Sequence, residues 1–106
     1  MKLLLQGVGT SSGTVTGKVR IVEKGKLPFD FTDGDILVTR LTDPTMVPWM
    51  IKAAGIICDI GGITSHPSIV SRELGIPCIV ATKVGTTTLQ EGQMITMNGE
   101  TGEIYE

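Results

Sequence analysis

The chain has 106 residues, 41% hydrophobic and 19% charged, with a formal net charge of −2. That is the size of one domain, residues 1–106, with enough apolar content for its own core and too much for a disordered chain. The basic residues are scattered, with Glu23 interrupting the nearest cluster (Lys18, Arg20, Lys24, Lys26), which excludes a nucleic-acid footprint and leaves the lysines as a solvated strand edge and loop.

Met1–Gly7 holds too short an apolar run for a signal peptide, and no segment approaches the ~20 apolar residues of a membrane span. The expected setting is therefore cytoplasmic and reducing, with no membrane partner. Starting at Met1 and stopping soon after its last hairpin, the chain reads as a complete short protein. Aromatics are confined to Phe29, Phe31, Trp49 and Tyr105, so the core must be aliphatic, and the many Val, Ile and Thr favour strands.

Gly7–Gly13, rich in Gly, Ser and Thr, reads as a loop, and Thr14–Val22 alternates as a strand does. Residues 25–35 are irregular, with Pro28 and Asp33-Gly34 as turn signals, and Ile36–Leu41 is a buried strand. A helix is predicted over 45–54, capped by Thr42 or Asp43, with Pro44 in its first turn and a core stripe of Met46, Val47, Met50, Ile51 and Ala54. Trp49 falls off that stripe toward solvent, and Gly55 ends the helix. A second buried strand, Ile56–Ile60, runs into Gly61-Gly62. A short helix over 66–74 follows, with Ser65 as N-cap, Pro67 in the first turn, Gly75 as the left-handed terminator and Pro77 beyond. Ile69, Val70 and Leu74 are its packing residues. Residues 78–82 form a third buried strand, 84–91 a Gly/Thr connection, and 94–97 with 103–105 a hairpin around Asn98-Gly99. The order β…β-α-β-α-β-β-β predicts one compact mixed α/β domain.

Cys58 and Cys78 lie inside apolar runs with no CxxC spacing, and read as buried free thiols, with a disulfide or reactive thiol as the alternative. With one histidine beside them a structural zinc site is excluded. There is no Walker-type loop, no Ser-His-Asp set and no acidic cluster for magnesium. Asp43 and Asp59 are isolated acids with structural roles.

His66, the sole histidine, carries the chemistry. Gly61-Gly62 before it offers bare backbone after a strand. The helix it begins offers unpaired N–H groups and partial positive charge, a ready phosphate site. Thr64, Ser65 and Ser68 add hydroxyls, and neutral imidazole is a nucleophile near cellular pH. On these features alone the histidine is either a phosphoryl acceptor or a surface residue in a helix first turn.

The run Gly61-Gly62-Ile63-Thr64-Ser65-His66 through Arg72-Glu73-Leu74-Gly75-Ile76-Pro77 closely resembles the phosphohistidine motif of phosphoenolpyruvate-utilising enzymes. That group includes phosphoenolpyruvate synthase, pyruvate phosphate dikinase and enzyme I of the sugar phosphotransferase system. Ile36–Thr39, Thr42-Asp43-Pro44, Pro48, Ala53–Ile57 and the carboxyl-terminal Gly92-Gln93, Asn98-Gly99 and Gly102–Tyr105 extend the similarity, closest to the synthase branch, over roughly residues 7–105. The resemblance implies the swivelling β/β/α fold of the mobile domain, with His66 phosphorylated at Nε2. It implies an ATP-grasp-type nucleotide-binding domain and a magnesium-dependent pyruvate or phosphoenolpyruvate domain acting in trans, since neither is present here. No cofactor is then expected on this chain. Thr64 matches the threonine that regulators modify in some members, and Arg72 matches the motif arginine, assigned to helix packing or partner contact. Pro67 and Ser68 stand where small residues are usual. Without a tether, docking must supply affinity, and Trp49, Met46 and Met50 are candidate docking residues, with core packing the first reading for the two methionines. The alternative reading is a non-catalytic binding or regulatory module with the same fold.

Overall fold

The computed structural model describes residues 1–23 and 30–106. The expectations for Lys24, Lys26, Pro28 and Phe29 fall outside the described residues. Within them are strands β1 (Leu3–Gln6), β2 (Val8–Ser11), β3 (Thr14–Ile21), β4 (Ile36–Thr39), β5 (Gly55–Cys58), β6 (Cys78–Val80), β7 (Met94–Asn98) and β8 (Glu103–Tyr105). Helices α1 (Val47–Met50), α2 (His66–Leu74) and α3 (Gly85–Thr88) join a 3-10 turn at Pro44–Met46. None of these helices is long and apolar enough to cross a membrane.

The strands run in the order β1-β8-β7-β3-β4-β5-β6-β2. β3 links two halves. Its Thr14–Lys18 segment pairs antiparallel with β7, and its Val19–Ile21 segment pairs parallel with β4. β4, β5 and β6 continue in parallel. Both faces of this parallel part are covered, which is why its strands read as unbroken apolar runs. One face (Ile36, Val38, Ile57, Ile79) packs with Val19 of β3 and with Ile95, Met97 and Ile104 of the antiparallel half. The other (Leu37, Ile56, Cys58, Cys78, Val80) packs with Met46, Met50 and Ala53 on the helical side. Sheet, sheet and helices are thus stacked as a β/β/α domain, the architecture expected from the sequence.

Local readings change in four places. Gly7–Gly13 is not wholly a loop: β2 pairs antiparallel with β6. Its glycine, normally unfavourable in a strand, is required by a close approach, since a Cβ on Gly9 would collide with the Gly99 carbonyl. The helix predicted over 45–54 is shorter. The Ala54 amide donates to the Asp35 carbonyl at 2.9 Å, which draws the chain out of the helix and into the β4–β5 ladder. Ile51 consequently lies in solvent, 62% exposed, while Met46 and Met50 are fully buried and unavailable for docking. Trp49 is half-buried against the helical-side core rather than off it.

The fourth change is the orientation of α2. Ile69 and Leu74 face outward, Val70 is half-buried, and the buried residues are Pro67, Ser68 and Ser71. Small hydroxyl side chains let the helix lie close on β2 and β6, with Ser68 and Arg72 hydrogen-bonded to Thr10 of β2 and Val70 packed on the helical-side core. Gly75 ends it at φ 73° as expected, its amide donating to the Ser71 carbonyl.

Arg20, unlike the lysines beside it in sequence, is buried and donates to Asp30 Oδ1 (2.6 Å), Asp35 Oδ2 (3.0 Å) and Glu91 Oε2 (2.6 Å) beside the Phe31 ring. Burial alone would lower its pKa, but the three carboxylates raise it. Asp35 is held below the usual carboxylate range: burial pushes it up, and the Thr32 amide and hydroxyl together with Arg20 override that. Arg20 likewise lowers Asp30.

Candidate phosphoryl-acceptor site

The parallel strands end at one crest. After β5 the chain passes Asp59 and Ile60 into Gly61, whose φ of 116° requires glycine and whose Cα lies against the Ser65 side chain. Gly62 is the knot of the loop. Its carbonyl accepts from Ser65 Oγ and from Ser68 Oγ, each at 2.7 Å, and its amide donates back to Ser65 Oγ at 3.1 Å. The Ser65 amide also donates to the Gly62 carbonyl, at 3.1 Å. Ser65 is the N-cap residue, but its hydroxyl is engaged by Gly62 and makes no capping bond to α2. The N-terminal amides of α2 therefore keep their polarity for an outside acceptor. Thr64 stands exposed at the top of the loop.

His66 opens α2, half-buried, and its Nδ1 shares a 2.7 Å hydrogen bond with Thr42 Oγ1. With Nδ1 engaged, Nε2 is the nitrogen left for chemistry. Thr42 was read from the sequence only as a helix cap. Asp43 does the capping, its carboxylate accepting from the Thr45 amide at 2.8 Å. Asp59 is structural as expected, accepting from the Thr86 amide and hydroxyl.

Arg72, in the last turn of α2, reaches back along the helix. One guanidinium nitrogen donates to the Ile63 carbonyl at 2.7 Å and another to the Thr10 carbonyl at 2.9 Å. It thereby ties the glycine loop, the helix and β2 together. Beneath, Ser68 Oγ bridges the Gly62 carbonyl to Thr10 Oγ1 at 2.8 Å. The structure thus gathers Gly61, Gly62, Ser65, His66, Ser68 and Arg72 in one unit. It adds Thr10 and Thr42, which sequence reasoning missed: Thr10 because its segment read as a loop, Thr42 because its partner lies 24 positions away. Cys58 and Cys78 are buried free thiols, both pushed up by burial, and the β5–β6 register sets Cys78 opposite Ile56 rather than Cys58. Among the described residues no group of three His, Cys, Asp or Glu side chains gathers to hold a metal ion.

A family model described as "PEP-utilising enzyme, mobile domain" matches residues 31–102. A probable phosphoenolpyruvate synthase of Archaeoglobus fulgidus is 50% identical over 105 residues, covering 99% of this chain and 14% of the relative. The phosphoenolpyruvate synthase of Pyrococcus furiosus is 46% identical over 105 residues, covering 99% of this chain and 13% of its own. The chain thus spans about one-seventh of the length of these curated relatives. Among solved structures, an Enzyme I protein in solution superposes with a TM-score of 0.62 at 27% identity, over 71% of this chain and 31% of that one.

Proposed function

Because the chain belongs to the family of phosphoenolpyruvate-utilising enzyme mobile domains, we propose that it is a phosphoryl carrier whose acceptor atom is His66 Nε2. The observation that carries the reading is the Thr42–His66 Nδ1 bond at the start of an uncapped helix. When Nδ1 holds the ring proton and donates it to Thr42, the Nε2 lone pair is free. Nε2 attacks the donor phosphorus, the bond from phosphorus to the leaving oxygen breaks, and that oxygen departs with the electron pair. The ring keeps its Nδ1 proton and becomes a phosphoimidazolium, itself a good leaving group for the next transfer. The α2 N-terminus supports the added negative charge. Of the three hydroxyls expected here, Ser65 and Ser68 spend theirs on the Gly62 carbonyl, Ser68 fully buried, and hold the loop rather than a phosphate; exposed Thr64 is the one open to regulatory modification.

The loading site is then a nucleotide-binding, ATP-grasp-type domain and the other site a pyruvate- or phosphoenolpyruvate-binding domain. Both are supplied by partner domains or subunits, with magnesium among their groups rather than here. The test is intact-mass and phosphorus NMR analysis after incubation with ATP or phosphoenolpyruvate and lysate of the source organism, beside a His66→Ala control. An acid-labile, base-stable phosphate on the wild type, missing from the control, is expected. Label persisting in His66→Ala, or no label from either donor with the fold intact, overturns the carrier reading and leaves a binding or regulatory module.

A further inference from the structure

Met46 and Met50 are buried, so docking falls to other side chains. The ends of β4, β5 and β6 form three neighbouring loops: the Ile60 amide donates to the Arg40 carbonyl at 3.1 Å, and the Lys83 amide to the Asp59 carbonyl at 2.8 Å. Leu41 reaches the glycine loop, where a Cβ on Gly61 would lie 3.5 Å from its Cδ1. On these loops Leu41, Ile60, Ile63 and Val84 are exposed, and so is Ile69, three positions past His66 and its neighbour on the α2 surface. Single exposed apolar side chains are ordinary, but a group of them beside one reactive atom marks an interaction site. Ile63 is the most exposed of the five, at 66%, and its carbonyl is held by Arg72 at 2.7 Å. Its backbone is thus ordered before any partner arrives, which lowers the cost of seating the side chain. The exposed charges here are Arg40 and Lys83, and neither is ion-paired among the described residues. The nearest acids, Asp43 and Asp59, turn their carboxylates onto Thr45 and Thr86. Exposed charge on the crest is therefore positive, on a chain whose net charge is −2.

We infer that this crest is the face on which the protein that loads His66 docks, with Ile63 as the anchor entering an apolar socket of that partner and Arg40 and Lys83 meeting acidic side chains at the socket's border. The chemistry demands contact here. For Nε2 to attack phosphorus, the donor must come within bonding reach of it, so whatever surrounds the donor covers the residues around the histidine. The two cations stand on the loops beside the His66 loop, a border position rather than one under the phosphoryl group. This rests on the reading of His66 as the acceptor and adds which side chains select the partner.

The experiment labels His66 of the full chain by two routes. Lysate of the source organism with ATP or phosphoenolpyruvate requires docking. Phosphoramidate does not: Nε2 attacks its phosphorus, the phosphorus–nitrogen bond breaks and ammonia leaves. Initial rates over a range of chain concentrations are compared for wild type, Ile63→Ser, Ile63→Leu and the double variant Arg40→Gln, Lys83→Gln. By the lysate route Ile63→Ser should lose about tenfold in kcat/KM, carried by KM, and Ile63→Leu should recover most of it. Added salt should slow the wild type and leave the double variant nearly unaffected. By phosphoramidate all four should label alike. An unchanged lysate rate in Ile63→Ser overturns the anchor, and an unchanged salt response in the double variant overturns the charged border. Equal slowing of Ile63→Ser by both routes also overturns docking, because the side chain then acts on the histidine itself. Slowing of the double variant by phosphoramidate would assign the cations to the phosphoryl group and overturn the border. Wild type labelled by phosphoramidate but by neither lysate donor removes the carrier reading and the docking face with it. Wild type labelled by lysate, with indifferent variants, rejects the docking face alone.

Discussion

Replacing Arg72 by Met keeps most of the aliphatic stem and removes the fork that joins loop, helix and β2. Two donations are lost, to Ile63 O at 2.7 Å and Thr10 O at 2.9 Å. A hydrogen bond from a charged donor contributes about 1.5–3 kcal/mol where it is sheltered. Ile63 is 66% exposed, so solvent screening reduces the loop share to about 1 kcal/mol. That raises the population of the opened Gly61–Ser65 loop about fivefold. The assay is amide hydrogen exchange at Ser65, whose N–H donates to the Gly62 carbonyl and reports on this loop directly. Exchange should quicken by about that factor, and Arg72→Lys should fall between, because one ammonium cannot span both carbonyls as a planar fork does. Unchanged Ser65 exchange with a lowered thermal midpoint would refute the reasoning: the guanidinium would then only pin α2 to β2.

Arg20→Ala leaves the buried Asp35 carboxylate without its cation, at a cost of about 3 kcal/mol, so the thermal midpoint should fall by roughly 10–20 °C. Because Asp30 and Asp35 are lowered in the fold, their stabilisation is complete above the unfolded carboxylate pKa and is lost as pH drops through the folded values. Midpoints measured across pH should therefore decline below about pH 4 in the wild type and decline less in Arg20→Ala. Gly99→Ala would force a Cβ into the Ser11 carbonyl and to 3.0 Å from the Cys78 amide nitrogen, both main chain and slow to yield. Urea denaturation should show a loss of about 2–4 kcal/mol, and a loss within about 0.5 would mean the β2 contact is not as tight as described.

What the sequence made legible follows from range of interaction. β4, β5 and β6 are buried on both faces, so Ile36–Thr39 or Gly55–Cys58 could be recognised without knowing the partners. α2 carries its stop signals locally, in Gly75 and Pro77. Its facing was misread because residues 66–74 contain good apolar packers at Ile69 and Leu74, and nothing local says that Ser68 and Ser71 go inward. For Ser68 that choice is made by Thr10 across the interface. β2 was missed for the same reason, since its glycine, Gly9, is explained only by the Gly99 and Glu100 backbones. In the site, the glycines, hydroxyls and histidine form one run and could be read together. Thr42 could not, because the geometry that joins it to His66 exists only once β4 and β5 are side by side. The burial of Arg20 is not legible locally, because its carboxylate partners lie 10, 15 and 71 positions away.

The strand order places β1 and β2 at opposite ends of the sheet although only Gly7 separates them in the chain. Each is completed by late sequence: β1 by β8, β2 by β6, with Gly7 bonded to Gly102. β1 can therefore find its place only after β8 exists, and β2 only after β6. Such non-local closure predicts a high contact order and slow final docking of the amino-terminal arm. During synthesis the parallel strands can assemble while both margins of the sheet stay open. One margin closes when β1 adds to β8 and the other when β2 adds to β6, so trimming β8 would release β1 first.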